Sequence, residues 1–374
     1  MAVVGDIVGP VAIERVAHGG HCVGRWEGVV HFVRHALPGE QVMVKVTEVA
    51  KRYVRSDVVE VVQASPERVT PRCSVAGLCG GCDWQHAEPA YTRELKRQVI
   101  AEQLRHLGGY TWEGAVEEVE PAPFHWRTRM RYAATADGRP GLKAHRSNRV
   151  VPLPPEGCVA AVPAIANPGR LAGETIAVAP GKGRPVLVGA EQQVLVEEVA
   201  AGRYWRVSSN GFWQSHPQAA DTLVQAVLEG LEPRADEVAF DLYCGVGLFA
   251  GPLVDAGCQV WGIESDAEAV RLAGINVSEG AEFLAASVAR GLDFLPRDAD
   301  LVVLDPPRVG AGARVVASVV ARQPRRIAYV ACDPAALGRD LGYLAEEYQV
   351  LGVRAFDLFP LTHHVECVAI FERR

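Results

Sequence analysis

A cysteine and a glutamate near the C-terminal end of the chain stand where side chains can do chemistry. Cys332 follows the apolar run 326–331 and precedes Pro334, where a helix is predicted to begin. A thiol beside a helix N-terminus is a candidate nucleophile, because the helix dipole favours the thiolate. The structural alternative is a small buried residue that closes a strand, since free cysteine is among the most buried residue types. Glu366 stands at the mouth of the last predicted strand, where a lone glutamate is ordinarily solvated.

Three further acidic residues follow predicted strands. Asp241 opens the sequence Asp-Leu-Tyr-Cys-Gly-Val-Gly of residues 241–247, Glu264 ends the next strand, and Asp305 precedes two prolines. A Gly-x-Gly turn lets a ligand approach the backbone at a helix N-terminus, and a carboxylate after the second strand can accept hydrogen bonds from ribose hydroxyls. The pattern Gly-x-Gly-x-x-Gly is incomplete, and no Gly-Lys-Ser/Thr loop follows a strand. Methyl transfer is therefore favoured over hydride or phosphate chemistry, and generic nucleotide binding stays open.

A cysteine cluster lies in the first half of the chain. Cys73, Cys79 and Cys82 have the spacing C-x5-C-x2-C, and the next cysteine is Cys158. Thiolates are soft ligands that suit an iron–sulfur cluster or zinc, and neighbouring glycines let backbone amides approach inorganic sulfur. The alternatives are a zinc knuckle and a set of buried structural thiols. The chain has nine cysteines, an odd number, and a cytosolic protein keeps its thiols reduced, so a disulfide framework is not expected.

Apolar periodicity divides the 374 residues into three segments, and a hydrophobic content of 49% supplies apolar surface for two or three cores. Residues 1–62 carry Val-rich runs split by Gly and Pro, which predicts a small antiparallel β-barrel. Residues 63–204 contain the four candidate ligand cysteines, a helix and strand-like runs. Residues 205–374 alternate strands with helices, which predicts a doubly wound sheet. The fold class is thus multidomain α/β. The predicted strands are 6–13, 28–33, 41–49, 53–62, 238–243, 259–264 and 365–371, and the helices are 88–107, 216–230, 247–256 and 266–277.

The distribution of charge is more informative than its sum. The formal net charge of −7 argues mildly against a nucleic-acid partner. Residues 127–149, however, carry seven Lys and Arg against the single acid Asp137. A second basic group, residues 51–55, includes Tyr53, and an aromatic among cations can touch both base and phosphate. A solvated hairpin face is the alternative for the first group.

Membrane association and export are not expected. No segment approaches the roughly 18 apolar residues of a membrane span, and residues 1–10 lack the pattern of a signal peptide. We therefore expect a cytoplasmic protein.

The ordered motifs resemble the RNA uridine-5-methyltransferase family, and in particular its iron–sulfur branch that modifies 23S ribosomal RNA. The resemblance spans nearly the whole chain. It implies an N-terminal TRAM barrel, a four-iron four-sulfur cluster on a central domain, and a C-terminal Rossmann-like domain that uses S-adenosylmethionine. The motifs that carry it are C-x5-C-x2-C with the distant Cys158, DLYCGVG at 241–247, DPPR at 305–308, ACDPAALGRDL at 331–341 and HHVE at 363–366.

By that resemblance Cys332 is the nucleophile and Glu366 the general base. A thiolate that adds to uracil carbon 6 makes carbon 5 able to take a methyl group, and a base then removes the carbon 5 proton. The implied partner is structured RNA with a flipped uridine, 23S rRNA first and the tRNA T-loop second, with neither DNA nor membrane, and the implied state is a monomer. The implied cluster ligands are Cys73, Cys79, Cys82 and Cys158, and the implied S-adenosylmethionine contacts are Gln214, Tyr243, Glu264 and Asp305.

Three positions depart from the family pattern, and three rivals remain. His216 stands where Phe-x-Gln-x-Asn has Asn, Leu248 replaces a common polar contact, and Asp333 replaces the Asn of Cys-Asn-Pro. A DNA cytosine-5-methyltransferase carries its cysteine just after the strand-four prolines, where this chain has Arg308, and an amino-directed methylase would have an aromatic residue there. A non-catalytic RNA-binding adaptor that retains the barrel and the cluster is the third rival.

Overall fold

The structure, a computed structural model, describes residues 3–374 of the chain. Residues 1 and 2, with which the predicted 1–62 segment begins, lie outside the described residues. The strands form a closed barrel, a five-stranded sheet, a two-stranded ribbon and an eight-stranded sheet. No helix within residues 3–374 is long and apolar enough to cross a membrane.

Five strands close the N-terminal barrel in the order β1-β2-β3-β5-β4. They are β1 Ile7–Val16, β2 Cys22–Trp26, β3 Val29–Arg34, β4 Gln41–Val49 and β5 Val54–Gln63. Alternate residues point inward, as Val42, Val44 and Val46 do on β4. The predicted barrel is confirmed, but it is not wholly antiparallel, because β3 and β5 pair in parallel. Strand β2 was not predicted, because its five residues carry a glycine and an arginine instead of a Val-rich run.

The middle of the chain builds two antiparallel units. Helix α1 Pro89–Gly108 ends at Gly109, whose left-handed backbone (φ 64°) lets its N–H cap Leu104. The five-stranded sheet has the order β11-β10-β7-β8-β9, and the ribbon pairs β12 with β13. The elements after α1 are β6 Val116–Glu118, β7 Arg129–Ala134, β8 Pro140–Lys143, β9 Val150–Pro152, α2 Pro163–Ala166, β10 Thr175–Val178, β11 Val186–Gly189, β12 Leu195–Ala200 and β13 Arg203–Ser208.

The C-terminal sheet has the order β16-β15-β14-β17-β18-β20-β19-β6. Its inner strands pair in parallel, and β20 lies antiparallel between β18 and β19. Successive residues of β17 face opposite sides, so that Val303 joins one hydrophobic core and Leu304 the other. The predicted doubly wound sheet is confirmed. The elements are α3 Ala219–Leu231, β14 Val238–Leu242, α4 Ala250–Asp255, β15 Gln259–Glu264, α5 Ala267–Asn276, β16 Ala281–Ala285, α6 Val288–Gly291, β17 Leu301–Leu304, α7 Gly312–Val320, β18 Arg326–Ala331, α8 Pro334–Leu344, β19 Tyr348–Asp357 and β20 Glu366–Arg373.

Two elements of the predicted 63–204 segment belong to the C-terminal body. Strand β6 pairs in parallel with β19, and α1 packs against α8. Glycines allow the two helices to approach closely, since a Cβ on Gly108 would lie 2.8 Å from the carbonyl oxygen of Gly338. Strand β13 also runs across residue 204. The segment therefore contributes to more than one body, which periodicity along the chain does not reveal.

A buried ion pair joins α1 to β19. Lys96 is 1% exposed, its Nζ lies 2.5 Å from Asp357 Oδ1, and it also donates to the carbonyl of Phe359. Burial lowers the pKa of Lys96, and the Asp357 carboxylate opposes that shift.

We expect Lys96→Met to lower the free energy of unfolding by about 3–5 kcal/mol, because it leaves the Asp357 carboxylate buried without a cation. The midpoint and slope of urea unfolding measure this loss. The double variant Lys96→Met/Asp357→Leu is expected to recover most of it, since it removes both charges. A double variant no more stable than Lys96→Met would show that the lost contacts of the lysine stem dominate.

Candidate active site

The ends of β18 and β20 bring Cys332 and Glu366 together. Ala331 pairs with Cys367 in the antiparallel ladder. Cys332, which follows β18, and Glu366, which begins β20, are therefore neighbours at the same sheet edge. A cavity of about 180 Å³ opens at this edge. Its lining comes from the barrel, from α1 and from the C-terminal loops, and consists of His18, Lys96, Val99, Arg308, Cys332, Asp333, Pro334, His363, His364 and Val365. Glu366 follows Val365, a residue of this lining, and is buried at 6% exposed rather than solvated.

Burial and nearby carboxylates favour the protonated form of both candidate catalytic groups in the free protein. Burial, with the nearby Glu366 and Asp305, raises the pKa of the Cys332 thiol to about 12, and Arg308 only partly offsets this. Burial and Asp305 likewise raise the pKa of Glu366 well above its usual range. The helix dipole is expected to favour a Cys332 thiolate, whereas burial and the carboxylates of Glu366, Asp305 and Asp333 act in the opposite direction in the free protein.

The loop after β14 forms a backbone cradle beside this edge. Gly245 (φ 53°) and Gly247 (φ 92°) adopt left-handed conformations that side chains disfavour. Glu264 Oε2 accepts from the N–H of Gly245 at 3.3 Å, and its Oε1 accepts from the N–H of Asp266 at 2.9 Å. Asp241 Oδ2 accepts from the N–H of Ala250 at 2.9 Å, whereas its buried Oδ1 has no hydrogen-bond partner among residues 3–374. The cradle therefore contains a buried carboxylate oxygen, Asp241 Oδ1, that can accept a hydrogen bond from a ligand.

Three carboxylates gather around this cradle. Burial, with Asp305 and Glu264 nearby, raises the pKa of Asp241 to about 8. Burial and Glu264 raise the pKa of Asp305 to about 7. Like charges held together in a low-dielectric site favour the binding of a cation, which lowers these pKa values again. The site is electrostatically suited to a positively charged ligand that also bears hydroxyl groups.

Tyr243 and Gln214 occupy different surroundings. The N–H of Tyr243 donates to Ile263 at 2.8 Å, which keeps Tyr243 in the cradle loop. Gln214 is buried between β13 and α3, and no side-chain hydrogen bond in residues 3–374 links it to the cradle. The place of Gln214 in a cofactor site therefore stays a prediction.

The departures at His216 and Leu248 are packed into the protein. His216 stacks on Trp126, with Nε2 3.2 Å from the Pro121 carbonyl and Nδ1 accepting from the N–H of Gln218. Leu248 is 8% exposed and belongs to the core on one face of the sheet. Both residues act in packing.

The four predicted cluster ligands converge. Cys73, Cys79, Cys82 and Cys158 line a single small cavity of about 30 Å³. The N–H of Gly81 lies 3.4 Å from Cys79 Sγ. Within the described residues, no three His, Cys, Asp or Glu side chains come close enough to hold one metal ion.

Three residues around the cavity were not singled out from the sequence. His18 comes from the barrel, Lys96 from α1, and Asp83 accepts from His363 Nδ1 at 2.6 Å. The only sequence signal among them is Lys96, a charge within the buried apolar stripe of Leu95, Val99 and Ile100 on α1. His18 and Asp83 lie in loops, where periodicity carries no information.

The protein has an open α/β sheet with an acidic glycine cradle at its carboxyl edge, and a small barrel is joined to it. These features define a nucleotide-cofactor methyltransferase fold with an added barrel.

Comparisons with known proteins agree with this class. Residues 7–59 match the TRAM domain family, and residues 286–374 match the family described as tRNA (Uracil-5-)-methyltransferase. A tRNA (uracil-54, C5)-methyltransferase from Pyrococcus abyssi, solved with S-adenosyl-L-homocysteine, has the same fold, with a TM-score of 0.72 and 23% identity over 97% of this chain and 100% of that one.

Curated relatives extend over the whole chain. A protein of Streptomyces avermitilis described as an uncharacterized RNA methyltransferase is 46% identical, with 97% of each chain covered. A counterpart from Streptomyces coelicolor is 45% identical over 97% of this chain and 92% of its own. The chain therefore belongs to the RNA uracil-5-methyltransferase family and is an S-adenosylmethionine-dependent enzyme that acts on RNA.

Proposed function

We propose that this protein forms 5-methyluridine in 23S ribosomal RNA, in the cytoplasm, with Cys332 as nucleophile and Glu366 as general base. The observation that supports the mechanism is the pairing of Ala331 with Cys367, because it makes Cys332 and Glu366 neighbours at one sheet edge, where Cys332 lines the cavity. A nucleophile and a base that act on adjacent carbons of one ring must lie within the span of that ring.

The residues account for each step of the reaction. The Cys332 sulfur forms a bond to uracil carbon 6, and the electron pair of the 5,6 double bond moves toward carbon 5 and the carbon 4 oxygen. The resulting enolate takes the methyl group that S-adenosylmethionine supplies. Glu366 then removes the carbon 5 proton, the double bond re-forms and the sulfur leaves. Arg308, on the wall of the cavity, is the cation placed to stabilise the developing negative charge.

Binding of the methyl donor prepares both groups. The carboxylates of Asp241 and Asp305 would suit its sulfonium cation, and the Glu264 carboxylate would accept hydrogen bonds from its ribose hydroxyls. Asp305 raises the pKa of both Cys332 and Glu366 in the free protein. A cation beside Asp305 would lower both pKa values, so that the Cys332 thiol and the Glu366 acid could release their protons to solvent when the donor is bound. Tyr243 and Gln214 complete the proposed donor site.

The cysteine cavity fits an iron–sulfur cluster. Four thiols converge on one cavity, yet no three ligands are within reach of a single ion in the part of the chain described. Zinc needs four sulfur atoms at about 2.3 Å from one centre, whereas a four-iron four-sulfur cluster holds its four thiolates at the corners of a larger body. Four thiols around one cavity suit either group, and we propose the cluster with zinc as the alternative. The cluster would hold the Cys-rich loop against the central sheet, where the backbones of Cys79 and Ala144 form an isolated antiparallel β-bridge.

We expect Cys82→Ser protein, purified without oxygen, to lose the visible absorbance of the cluster and most of the bound iron and sulfide, about four of each in the parent. Iron, zinc and sulfide analysis measures this directly. Cys258→Ala, which removes a buried cysteine elsewhere in the core, should keep all of it. One zinc and no sulfide in the parent protein would establish the zinc alternative.

A basic surface next to the catalytic cavity supports RNA as the substrate. Arg55 lies over the rings of both Phe32 and Tyr53 on the barrel, at 5.9 and 5.5 Å from the ring centres. The β7–β9 hairpins carry the exposed residues Arg131, Arg139, Lys143, Arg146 and Arg149, whereas Arg129 is mostly buried against Glu198. Arg146 reaches barrel residue Glu48 at 3.8 Å. The aromatic platform and the basic hairpins thus form one surface, suited to stacked bases and phosphates around a flipped uridine.

Transfer RNA is the second candidate substrate. The description of the family that matches residues 286–374 and the substrate of the Pyrococcus abyssi enzyme both favour it. Mass-spectrometric mapping of 5-methyluridine in 23S rRNA and tRNA, from the source organism and its deletion strain, decides between the two. We expect one rRNA site to lose its methyl group and the tRNA T-loop to keep it. Loss from tRNA alone would select the second candidate, and no loss from either would favour the RNA-binding adaptor.

A further inference from the structure

We propose that His18, on the barrel loop between β1 and β2, is a positioning residue whose imidazolium offsets the charge of Asp333 and thereby keeps Cys332 reactive. The inference rests on the proposed role of Cys332. It gives the barrel a part in the chemistry, in addition to its contacts with RNA.

The geometry places His18 firmly against the nucleophile loop. His18 Nε2 lies 2.9 Å from Asp333 Oδ2, and both residues line the cavity of Cys332. Two contacts hold the His18 loop in place. Trp84 Nε1 donates to the carbonyl of Gly20, and Gly20 lies so close to His363 that a Cβ would be 2.9 Å from its side chain. His18 therefore reaches the catalytic edge from a fixed loop.

Asp333 has two separate contacts. Its Oδ1 accepts from the N–H of Ala336 at 2.9 Å and caps helix α8, while Oδ2 binds His18. Asparagine caps a helix as well as aspartate does, so the cap does not require a charge. The carboxylate adds a negative charge beside a thiol that must ionise, and it is among the groups that raise the pKa of Cys332. A cation in contact with Asp333 would offset that negative charge.

Among the charged groups around Cys332, His18 is the one that contacts Asp333 and can offset its charge. Arg339 on α8 opposes the protonation of His18, and Glu102 on α1 favours it. On the nucleophile's other sides stand Glu366 and Asp305, both negative when ionised, and Arg308, the cation that partly offsets them. The hydrogen bond to Asp333 raises the pKa of His18 above its usual value. The imidazolium is therefore present below that raised pKa and is lost as the pH rises through it.

The test is the rate at which iodoacetamide alkylates Cys332 in protein saturated with S-adenosylmethionine, whose cation favours the thiolate, followed by mass spectrometry of the Cys332 peptide at about pH 6 and about pH 9. The series is wild type, His18→Gln, Asp333→Asn and the double variant. At the lower pH, His18→Gln is expected to react roughly three- to tenfold more slowly than wild type, and the double variant at least as fast as wild type. The deficit of His18→Gln should shrink at the higher pH, where the wild-type histidine is neutral.

Arg25→Gln is the matched control, because Arg25 makes an exposed ion pair with Glu14 on the barrel at 3.8 Å, and it should alkylate as wild type does. Thermal melting checks the fold of every variant, and His18, 40% exposed, is not needed for packing. Equal rates for His18→Gln and wild type at both pH values would overturn the proposal, as would a double variant that stays slow. A wild-type protein that follows this series but does not methylate RNA would refute the proposed function and leave the role of His18 standing.

Discussion

Cys332→Ala protein is expected to lose RNA methylation by about 10⁴-fold or more, which corresponds to at least about 5 kcal/mol of transition-state stabilisation. Without the sulfur no bond to carbon 6 forms, and carbon 5 of uracil remains too weak a nucleophile to accept the methyl group. Transfer of radiolabelled methyl groups to RNA measures the loss. Donor binding should persist, because Cys332 makes no hydrogen bond to the glycine cradle among the contacts of residues 3–374.

Two controls separate this loss from a loss of structure. Isothermal titration with S-adenosyl-L-homocysteine should give the same dissociation constant for wild type and for Cys332→Ala. Cys258→Ala removes another cysteine, 4% exposed and distant from the catalytic edge, and should methylate RNA at nearly the wild-type rate. Methylation by Cys332→Ala within tenfold of wild type would remove the cysteine from the mechanism.

Glu366→Gln protein is expected to accumulate a covalent protein–RNA adduct and to turn over about 10²–10⁴-fold more slowly. The amide cannot take the carbon 5 proton, so the reaction stops after methyl transfer and the sulfur cannot leave. A denaturing gel with end-labelled RNA should show a shifted band that requires the methyl donor. The same substitution removes a buried acid that raises the pKa of Cys332, so the first bond should still form.

The double variant Cys332→Ala/Glu366→Gln is the decisive control for that band, because it keeps the amide and lacks the sulfur. We expect it to show no adduct. An adduct formed equally well without Cys332 would mean that another nucleophile attacks the RNA. Turnover by Glu366→Gln at the wild-type rate, without any adduct, would show that another group takes the proton.

The sequence predicted those parts of the site that follow from strand periodicity. Cys332 and Asp305 each come directly after a buried strand, and parallel strands end at the same edge of the sheet, so their proximity could be inferred. The barrel and the doubly wound sheet followed from the same periodicity. The protonation of Cys332 could not be predicted, because it depends on burial and on carboxylates that approach from other strands.

Contacts between distant segments were beyond the sequence. The His18–Asp333 and Lys96–Asp357 pairs join residues far apart in the chain, and α1 and β6 join the C-terminal body although they precede it by many residues. Such contacts depend on how whole elements pack, which no local pattern encodes. They are also the contacts that bring the barrel and α1 to the catalytic edge.

The most direct test uses RNA in which uridine is replaced by 5-fluorouridine, incubated with wild-type protein and S-adenosylmethionine. Fluorine cannot leave as a cation, so an adduct formed through carbon 6 persists after the methyl group has been transferred. Digestion and tandem mass spectrometry then identify the bonded amino acid. We expect a methylated fluorouridine nucleotide on Cys332. An adduct on a different residue, or methylated RNA with no adduct at any residue, would contradict the mechanism.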